Sequence, residues 1–290
     1  MILHAVPTVK QKIFLARCLN QVLRLIRRLG GRGMQLTCQR RGVQWQLDLD
    51  EGIDLSIYLL GAYEPRTLRA YTGMIRPGDV IFDIGANIGA HTLHFARLTG
   101  ARGRVYAFEP TDFAVAKLRG NLALNPELAT RVSVHQCFLV AEAGATLPAA
   151  IFSSWPVAHE HHDLDPEHLG KPKALAAAQA ITADAFAREA SLERLDFVKL
   201  DVDGHEYPVL RGFEQTLRRF RPAILIELAP FVYTGDHAHE FDEFIAFLVR
   251  LDYQFSDAQT GRPVPADAAA LRRIIPHGSG LNVLLRARSP

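Results

Sequence analysis

Between Asp79 and Pro110 the chain reads DVIFDIGANIGAHTLHFARLTGARGRVYAFEP, and no other stretch restricts the fold so much. Val80 to Phe82 with Ile84 form a β-prone apolar run, the pattern of a strand covered on both faces in a parallel sheet. The run stops at DIGANIG, where Gly85 and Gly89 lie four apart. Their missing Cβ atoms allow unusual backbone angles and close approach of a ligand to the main chain. A helix and a second apolar run follow, ending in Glu109, twenty-four residues after Gly85. A carboxylate there can accept both hydroxyl hydrogens of a ribose held over the first turn, as in nucleotide-binding α/β sheets.

Two ligand classes fit this geometry, and the glycine spacing separates them. A dinucleotide fingerprint needs G-x-G-x-x-G, with the second glycine making room for the pyrophosphate. Here Asn87 holds the second position and Ala90 the third, so a pyrophosphate would meet a side chain. The D-x-G-x-x-x-G form instead resembles motif I of S-adenosylmethionine-dependent methyltransferases, whose ligand carries no phosphate. A purely structural tight turn is the alternative, and Glu109-Pro110 at the right distance weighs against it.

The 290 residues are 48% hydrophobic and 22% charged, with a formal net charge of +2. That allows one substantial α/β domain with an N-terminal extension and excludes global disorder. So small a net charge gives no reason to invoke nucleic acid. Cys18, Cys38 and Cys137 form no close-spaced pair, which suits a reducing cytoplasm and small packing roles.

The charge is unevenly distributed. Nothing acidic precedes Asp48, whereas Lys10, Lys12, Arg17, Arg24, Arg27, Arg28, Arg32, Arg40 and Arg41 are basic. Between these, Ile13 to Leu29 carries apolar residues at helical spacing, and Gly30-Gly31 ends the pattern. Charges interrupt each apolar run before the twenty or so residues that a membrane span requires, and no signal-peptide cleavage pattern follows. An amphipathic helix of this kind packs on its own domain or a second subunit, lies on a membrane surface or partner, or forms a disordered tail. Only the second use needs the basic residues. From Met34 to Asp50 the alternation Val43, Trp45, Leu47, Leu49, with Arg41-Gly42 as the turn, predicts a β-hairpin. GAYEP, Gly61 to Pro65, comes next, ahead of a short helix that stops at Arg76-Pro77-Gly78. Tyr63 and Glu64 are candidate contacts to the methionine end of a cofactor; in the alternative, the tyrosine packs and the glutamate caps the helix.

A helix from Pro110 to Asn125-Pro126 and a third strand, VSVHQCFLV, continue the alternation that predicts a parallel sheet. Contacts near His135 to Phe138, including Cys137 and Phe138, are candidates for holding an adenine ring. Between residues 141 and 180 the alternation lapses, and Phe152 and Trp155 precede HEHHD, His159 to Asp163, with His168 beyond. The histidine spacing fits no standard zinc pattern and reads as a solvated loop. An irregular insertion of this length is usually a lid or substrate-binding segment, for which Phe152 and Trp155 would supply an apolar wall.

LDFVKLDVDGHEYPVLRG, from Leu195, is the second informative stretch. Lys199 and Asp201 share one face of a central strand, and Asp203 continues that face at its carboxyl end. Buried charges of this kind are paired or functional, because desolvation costs several kcal/mol per ion. Two uses remain open for the pair: holding the sheet, or serving the ligand crevice that forms at the ends of such strands. His205 and Glu206 open the next helix; RPAILIEL gives a fifth strand ending near Glu227; Tyr253 to Asp257 and Leu281 to Arg286 complete seven.

Together PGDVIFDIGANIG, RVYAFEP, the T-x-D of Thr182 to Asp184, FVKLDVDGHEYPVLRG and RPAILIEL resemble the FkbM family of methyltransferases. The resemblance covers roughly residues 61 to 228. It implies a class I methyltransferase (Rossmann-like) α/β fold, with a mostly parallel seven-stranded sheet whose last strand is antiparallel. Residues 1–60 would add a basic helix and β-hairpin, 61–290 would form the methyltransferase domain, and 141–180 its lid. The implied reaction is methyl transfer from S-adenosylmethionine to a hydroxyl of a sugar or secondary metabolite. Asp83, Gly85, Ala86, Asn87 and Gly89 would form the cofactor loop and Glu109 would hold the ribose. Asp203 departs from the more usual glutamate in K-x-D-x-E-G-x-E. The alternatives are an N-methyltransferase with the same cofactor loop and a catalytically silent partner subunit.

Methyl transfer needs an acceptor lone pair in line with the methyl carbon and a place for the hydroxyl proton. Orientation can supply about 7 to 11 kcal/mol, and a general base typically about 10²- to 10⁴-fold. Asp201 is the first candidate base and His205 the second. A rival mechanism has Mg²⁺ held by Asp201, Asp203 and Glu227 acidify the hydroxyl.

Overall fold

The computed structural model describes residues 8–147, 150–153, 157, 171–175 and 177–288. In chain order the elements are α1 (Val9–Leu29), β1 (Gln35–Arg40), β2 (Val43–Asp48), α2 (Gly52–Leu60), α3 (Pro65–Thr72), β3 (Val80–Ile84), α4 (Thr92–Thr99), β4 (Arg104–Phe108), α5 (Asp112–Ala123), α6 (Pro126–Ala129) and β5 (Val132–His135). Then come β6 (Cys137–Leu139), β7 (Ala150–Ser153), β8 (Lys171–Ala174), β9 (Gln179–Ile181), α7 (Ala183–Glu189), β10 (Phe197–Leu200), α8 (Glu206–Arg211), α9 (Glu214–Phe220), β11 (Ala223–Leu228), α10 (Glu240–Arg250), β12 (Tyr253–Asp257), α11 (Ala268–Ile274) and β13 (Leu281–Ala287).

Seven of these strands form one sheet in the order β12-β13-β11-β10-β3-β4-β5. β13 runs antiparallel to both of its neighbours, β11 and β12, while β11, β10, β3, β4 and β5 pair in parallel. This is the class I methyltransferase arrangement expected from the resemblance. The side-chain period of two sorts the core. Phe82 faces Phe108, Phe186 and Phe213 on one side of the sheet, and Ile81 joins Tyr71, Phe95 and Phe197 on the other. With helices on both faces, every central strand is buried, which explains the unbroken apolar runs.

The hairpin of β1 and β2 turns through Arg41 and Gly42, both at positive φ, as a two-residue turn matched to strand twist requires. It is pinned to α5 and to the turn before α6, with the Gln46 amide donating to Asn121 and the Gln44 amide to Asn125, and Trp45 is fully buried beneath it. α1 starts in a capping box between Thr8 and Gln11. The third-strand expectation is corrected in its extent. VSVHQCFLV divides at Gln136: β5 stays in the main sheet while β6 pairs with β9 outside it. The Gln136 amide reaches Asp112 at 2.6 Å, and the chain leaves the sheet there. Cys18 is exposed, against the expectation that the cysteines fill packing positions; Cys38 is half-buried and Cys137 buried. Trp155, His159, His161, His162 and His168 and the side chain of Phe152 lie outside the described residues. Among the described residues, no helix is long and apolar enough to cross a membrane.

Candidate active site

The carboxyl ends of β3, β4, β10 and β11 converge, and the site is built where they meet. After β3 the Gly85 and Ala86 amides both donate to the Phe108 carbonyl, which ties the turn to β4. Gly85 has φ 78°, and a Cβ there would lie 1.9 Å from the Asp201 carbonyl oxygen. The close approach that demands glycine is therefore made by β10's own continuation. Gly89, at φ 88°, is demanded by packing, since its Cβ would meet Leu118 and Leu93 at 2.6 and 2.7 Å. Between them Asn87 takes the left-handed conformation, φ 48°, and its amide donates to Glu109 Oε2 at 3.0 Å.

Glu109 is 4% exposed. Its Oε1 accepts from the Thr111 amide at 2.9 Å and the Thr111 hydroxyl at 2.6 Å. Burial pushes the carboxyl above its ordinary value, and these hydrogen bonds pull it back. A carboxylate offers about four lone-pair sites; three are in use, so Oε2 retains capacity for a ligand hydroxyl. Asp83, fully buried, accepts from Thr92 at 2.6 Å and fixes the start of α4. Its other oxygen has no hydrogen-bond partner among the described residues and sits 4.0 Å from Lys199 Nζ.

Lys199 links this half to the next. Its ammonium donates to the Gly85 carbonyl at 3.3 Å and lies 3.1 Å from Asp201 Oδ2. Desolvation alone would lower this lysine, but Asp201 and then Asp83 outweigh it and hold it above the ordinary value. It is therefore a fixed cation under the turn, the paired charge that the strand pattern called for.

Around Asp201 gather more carboxylates than that cation can balance. Burial raises Glu64, with Asp201 the next cause and Lys12 opposing it. Glu227 stands well above the carboxylate range through burial, then Asp201 and Glu64. Asp203, at φ 50° and exposed at the mouth of the cleft, is pushed up to about 7 by the protein atoms crowded around it, then by Asp201 and Glu206. Carboxylates crowded this closely cannot all ionise, so the group retains protons near neutrality.

Tyr63 and Glu64 do reach the site, since the same carboxylates act on Tyr63. Glu64 occupies the N-cap position of α3 but makes no capping bond; it accepts instead from Asn282 Nδ2 at 3.2 Å. Tyr63 meets His91 edge-on, and His91 Nδ1 is 3.1 Å from the Tyr71 hydroxyl. His205 rests against Phe138, ring centroids 4.6 Å apart, with Nε2 3.2 Å from the Leu139 carbonyl. A carbonyl only accepts, so Nε2 carries the proton and the basic lone pair of the neutral ring is on Nδ1. Burial lowers this histidine, which favours the neutral form. Cys137 is buried, its thiol pushed up to about 12 by desolvation and then by Glu109. That leaves it an apolar wall.

Several residues with a part in the site escaped the sequence reading. Thr111 holds Glu109; its only signal was a threonine at a helix start. Glu206 organises the turn before it, Oε1 accepting from the Val202 and Gly204 amides and Oε2 from the Tyr233 hydroxyl. The T-x-D segment is structural. Thr182 caps α7, and Asp184 accepts from Gln215 and Thr216 at the start of α9. Among the described residues no group of three His, Cys, Asp or Glu side chains is arranged to hold a metal, so the rival mechanism with Mg²⁺ on Asp201, Asp203 and Glu227 finds no support.

The sequence has counterparts elsewhere. The chain is 33% identical over 159 residues to the methyltransferase sdnD of Sordaria araneosa, covering 47% of this chain and 60% of that one. It is 49% identical over 70 residues to the 31-O-demethyl-FK506 methyltransferase FkbM of Streptomyces tacrolimicus, covering 24% and 25%. To the hexuronic acid methyltransferase AglP of Haloferax volcanii it is 25% identical over 145 residues, covering 48% and 52%. The chain thus spans from a quarter to three-fifths of the length of these curated relatives. Residues 83–255, from the buried aspartate that opens the glycine turn to the middle of β12, match the family model of the Methyltransferase FkbM domain, and the chain belongs to that family.

Proposed function

We propose that the chain is an S-adenosylmethionine-dependent O-methyltransferase that acts on a hydroxyl of a sugar or secondary metabolite. The observation that carries this reading is the pairing of a pre-bonded Glu109, which keeps one lone pair open beside the Asn87 turn, with a proton-retaining carboxylate cluster across the same cleft. The printed names of two relatives, one for a 31-O-demethyl compound and one for a hexuronic acid, support a hydroxyl-bearing acceptor. The residues fit the cofactor: Glu109 would take the ribose, the turn from Gly85 to Gly89 its nucleoside side, Cys137 and Phe138 the adenine, and Tyr63 and Glu64 the amino-acid end. When bound, S-adenosylmethionine supplies an electrophilic methyl group on a sulfonium centre.

The chain's own residues then have two tasks. One is to hold the acceptor oxygen in line, which is where most of the rate arises. The other is to receive the hydroxyl proton. Asp201 serves as base through the oxygen not engaged by Lys199, which fixes its orientation. His205 Nδ1 is the second acceptor, and Asp203, with its value near 7, can hand the proton to solvent. Calorimetry with S-adenosylhomocysteine and with NAD tests the cofactor, and binding of NAD alone would return the chain to the dehydrogenases. Release of S-adenosylhomocysteine during a screen of sugars and hydroxylated metabolites identifies the acceptor, and product analysis separates O- from N-methylation.

A further inference from the structure

α1 is amphipathic in the opposite sense to a helix that packs by its apolar side. With residues set about 100° apart around the axis, Ile13 and Asn20 share the side that meets the domain and are buried. Asn20 Nδ2 donates to the Leu49 carbonyl at 2.6 Å, and Arg24 pairs with Asp50 at 2.6 Å. The opposite side carries Phe14, Leu15, Val22, Leu25, Ile26 and Leu29, which are between 58% and 80% exposed. Large contiguous apolar patches of this kind mark an interaction surface.

Charge selects the occupant. α1 carries six Lys and Arg residues and no Asp or Glu, and the first acidic residue of the chain is Asp48. Lys10 and Arg28 border one edge of the stripe and Lys12 the other, all exposed. A second copy docked on the stripe would bring two such cationic helices together with no carboxylate on either. An anionic lipid surface satisfies both the stripe and its borders. The location is also informative. The start of α1 lies near the carboxylate side of the cleft: Lys12 acts electrostatically on Glu64 and Glu227, and a Cβ at Gly278, in the loop before β13, would be 3.9 Å from the Thr8 Cβ.

We propose that α1 docks the chain on an anionic bilayer, its apolar stripe entering the boundary between headgroups and acyl chains and Lys10, Lys12 and Arg28 meeting lipid phosphates. The side of the cleft near its N-terminal end is thereby held beside the membrane surface. The docking stands apart from the methyl-transfer reading; only the use of the cleft rests on it.

The test is co-sedimentation of the full chain with phosphatidylcholine vesicles, with and without phosphatidylglycerol. Binding should require the anionic lipid, weaken in high salt, and fall at least about tenfold in the Val22→Glu, Ile26→Glu double variant. A tryptophan placed by Phe14→Trp should shift its emission to the blue on the vesicles. Calorimetry with S-adenosylhomocysteine, unchanged between wild type and double variant, shows that the domain remains folded. Absence of vesicle binding overturns the proposal. So does a two-chain mass at sedimentation equilibrium that the double variant reduces to one chain, because a second copy then covers the stripe. Vesicle binding without affinity for S-adenosylhomocysteine would remove the methyl-transfer reading and leave the docking in place.

Discussion

The two halves of the cleft treat their carboxylates in opposite ways. On the β3–β4 side Glu109 receives three hydrogen bonds and Asp83 one, in places fixed by backbone amides and threonines. On the β10–β11 side Asp201, Asp203, Glu227 and Glu64 crowd around one lysine, and several stand above their ordinary values. The first arrangement makes a rigid acceptor for a ligand of fixed shape. In the second, burial and mutual repulsion favour the protonated forms of Glu64, Asp203 and Glu227. On the proposed reading the ribose is held on the first side and the proton is received on the second, with Glu64 of the second side also turned to the amino-acid end of the cofactor.

The strongest way to break this comparison is to force the halves apart. Gly85→Val places a side chain on the Asp201 carbonyl at a backbone angle that L-residues avoid, and should cost on the order of 3 kcal/mol or more. Thermal unfolding together with S-adenosylhomocysteine calorimetry should show both stability and binding reduced; near-normal values for both would mean that the turn relaxes freely. Asp201→Asn addresses the proton side alone. Turnover should fall about 10²- to 10⁴-fold with cofactor affinity nearly kept, and substantial residual turnover would reduce Asp201 to the partner of Lys199. Glu109→Ala addresses the binding side: affinity for S-adenosylhomocysteine should drop by about 1.5 to 3 kcal/mol, roughly ten- to hundredfold. Equal binding by variant and wild type would remove Glu109 from the ribose.

Smaller effects sharpen the contrast. Asp203 has a folded-state value of about 7 against 3.8 for the free side chain, so the folded chain holds the proton that the unfolded chain has released. Its contribution is favourable below pH 3.8 and is lost as pH rises towards 7. Asp203→Asn should therefore flatten the decline of stability across that window, as read by denaturant titration at several pH values; an unchanged slope would mean that Asp203 titrates normally. The smallest effect should come from chelation. Without a grouped set of ligands among the described residues, EDTA followed by Mg²⁺ should leave turnover constant, whereas loss with rescue would restore the metal mechanism.

Much of the frame was legible because burial on both faces writes itself into a strand as an apolar run. Val80–Ile84 and Ala223–Leu228 were readable for that reason, whereas the edge strand Tyr253–Asp257 shows instead the alternation of a strand buried on one face. α7 and α11, seven residues each, are too short to show a helical period, and the break at Gln136 depends on a partner, Asp112, in another element. In the site, the residue types were readable and their neighbours were not. Glu64 was readable as either a cofactor contact or a helix cap; its partner Asn282, 218 residues away, was not readable. Glu206 gained its task only from the left-handed turn at Asp203. The glycines of DIGANIG pointed to a ligand, while the atoms that exclude a side chain at Gly85 belong to Asp201 and those at Gly89 to Leu118 and Leu93.

The contact at Gly85 has a thermodynamic consequence. Because its α-carbon rests against the main chain of Asp201, and Lys199 grips the Gly85 carbonyl and the Asp201 carboxylate together, neither half of the cleft can shift without the other. On the proposed reading, occupancy of the turn and placement of the proton acceptor then share one free energy. By reciprocity, S-adenosylhomocysteine and the methyl acceptor should each change the other's dissociation constant by the same factor, and the double variant cycle of Glu109→Ala with Asp201→Asn should depart from additivity.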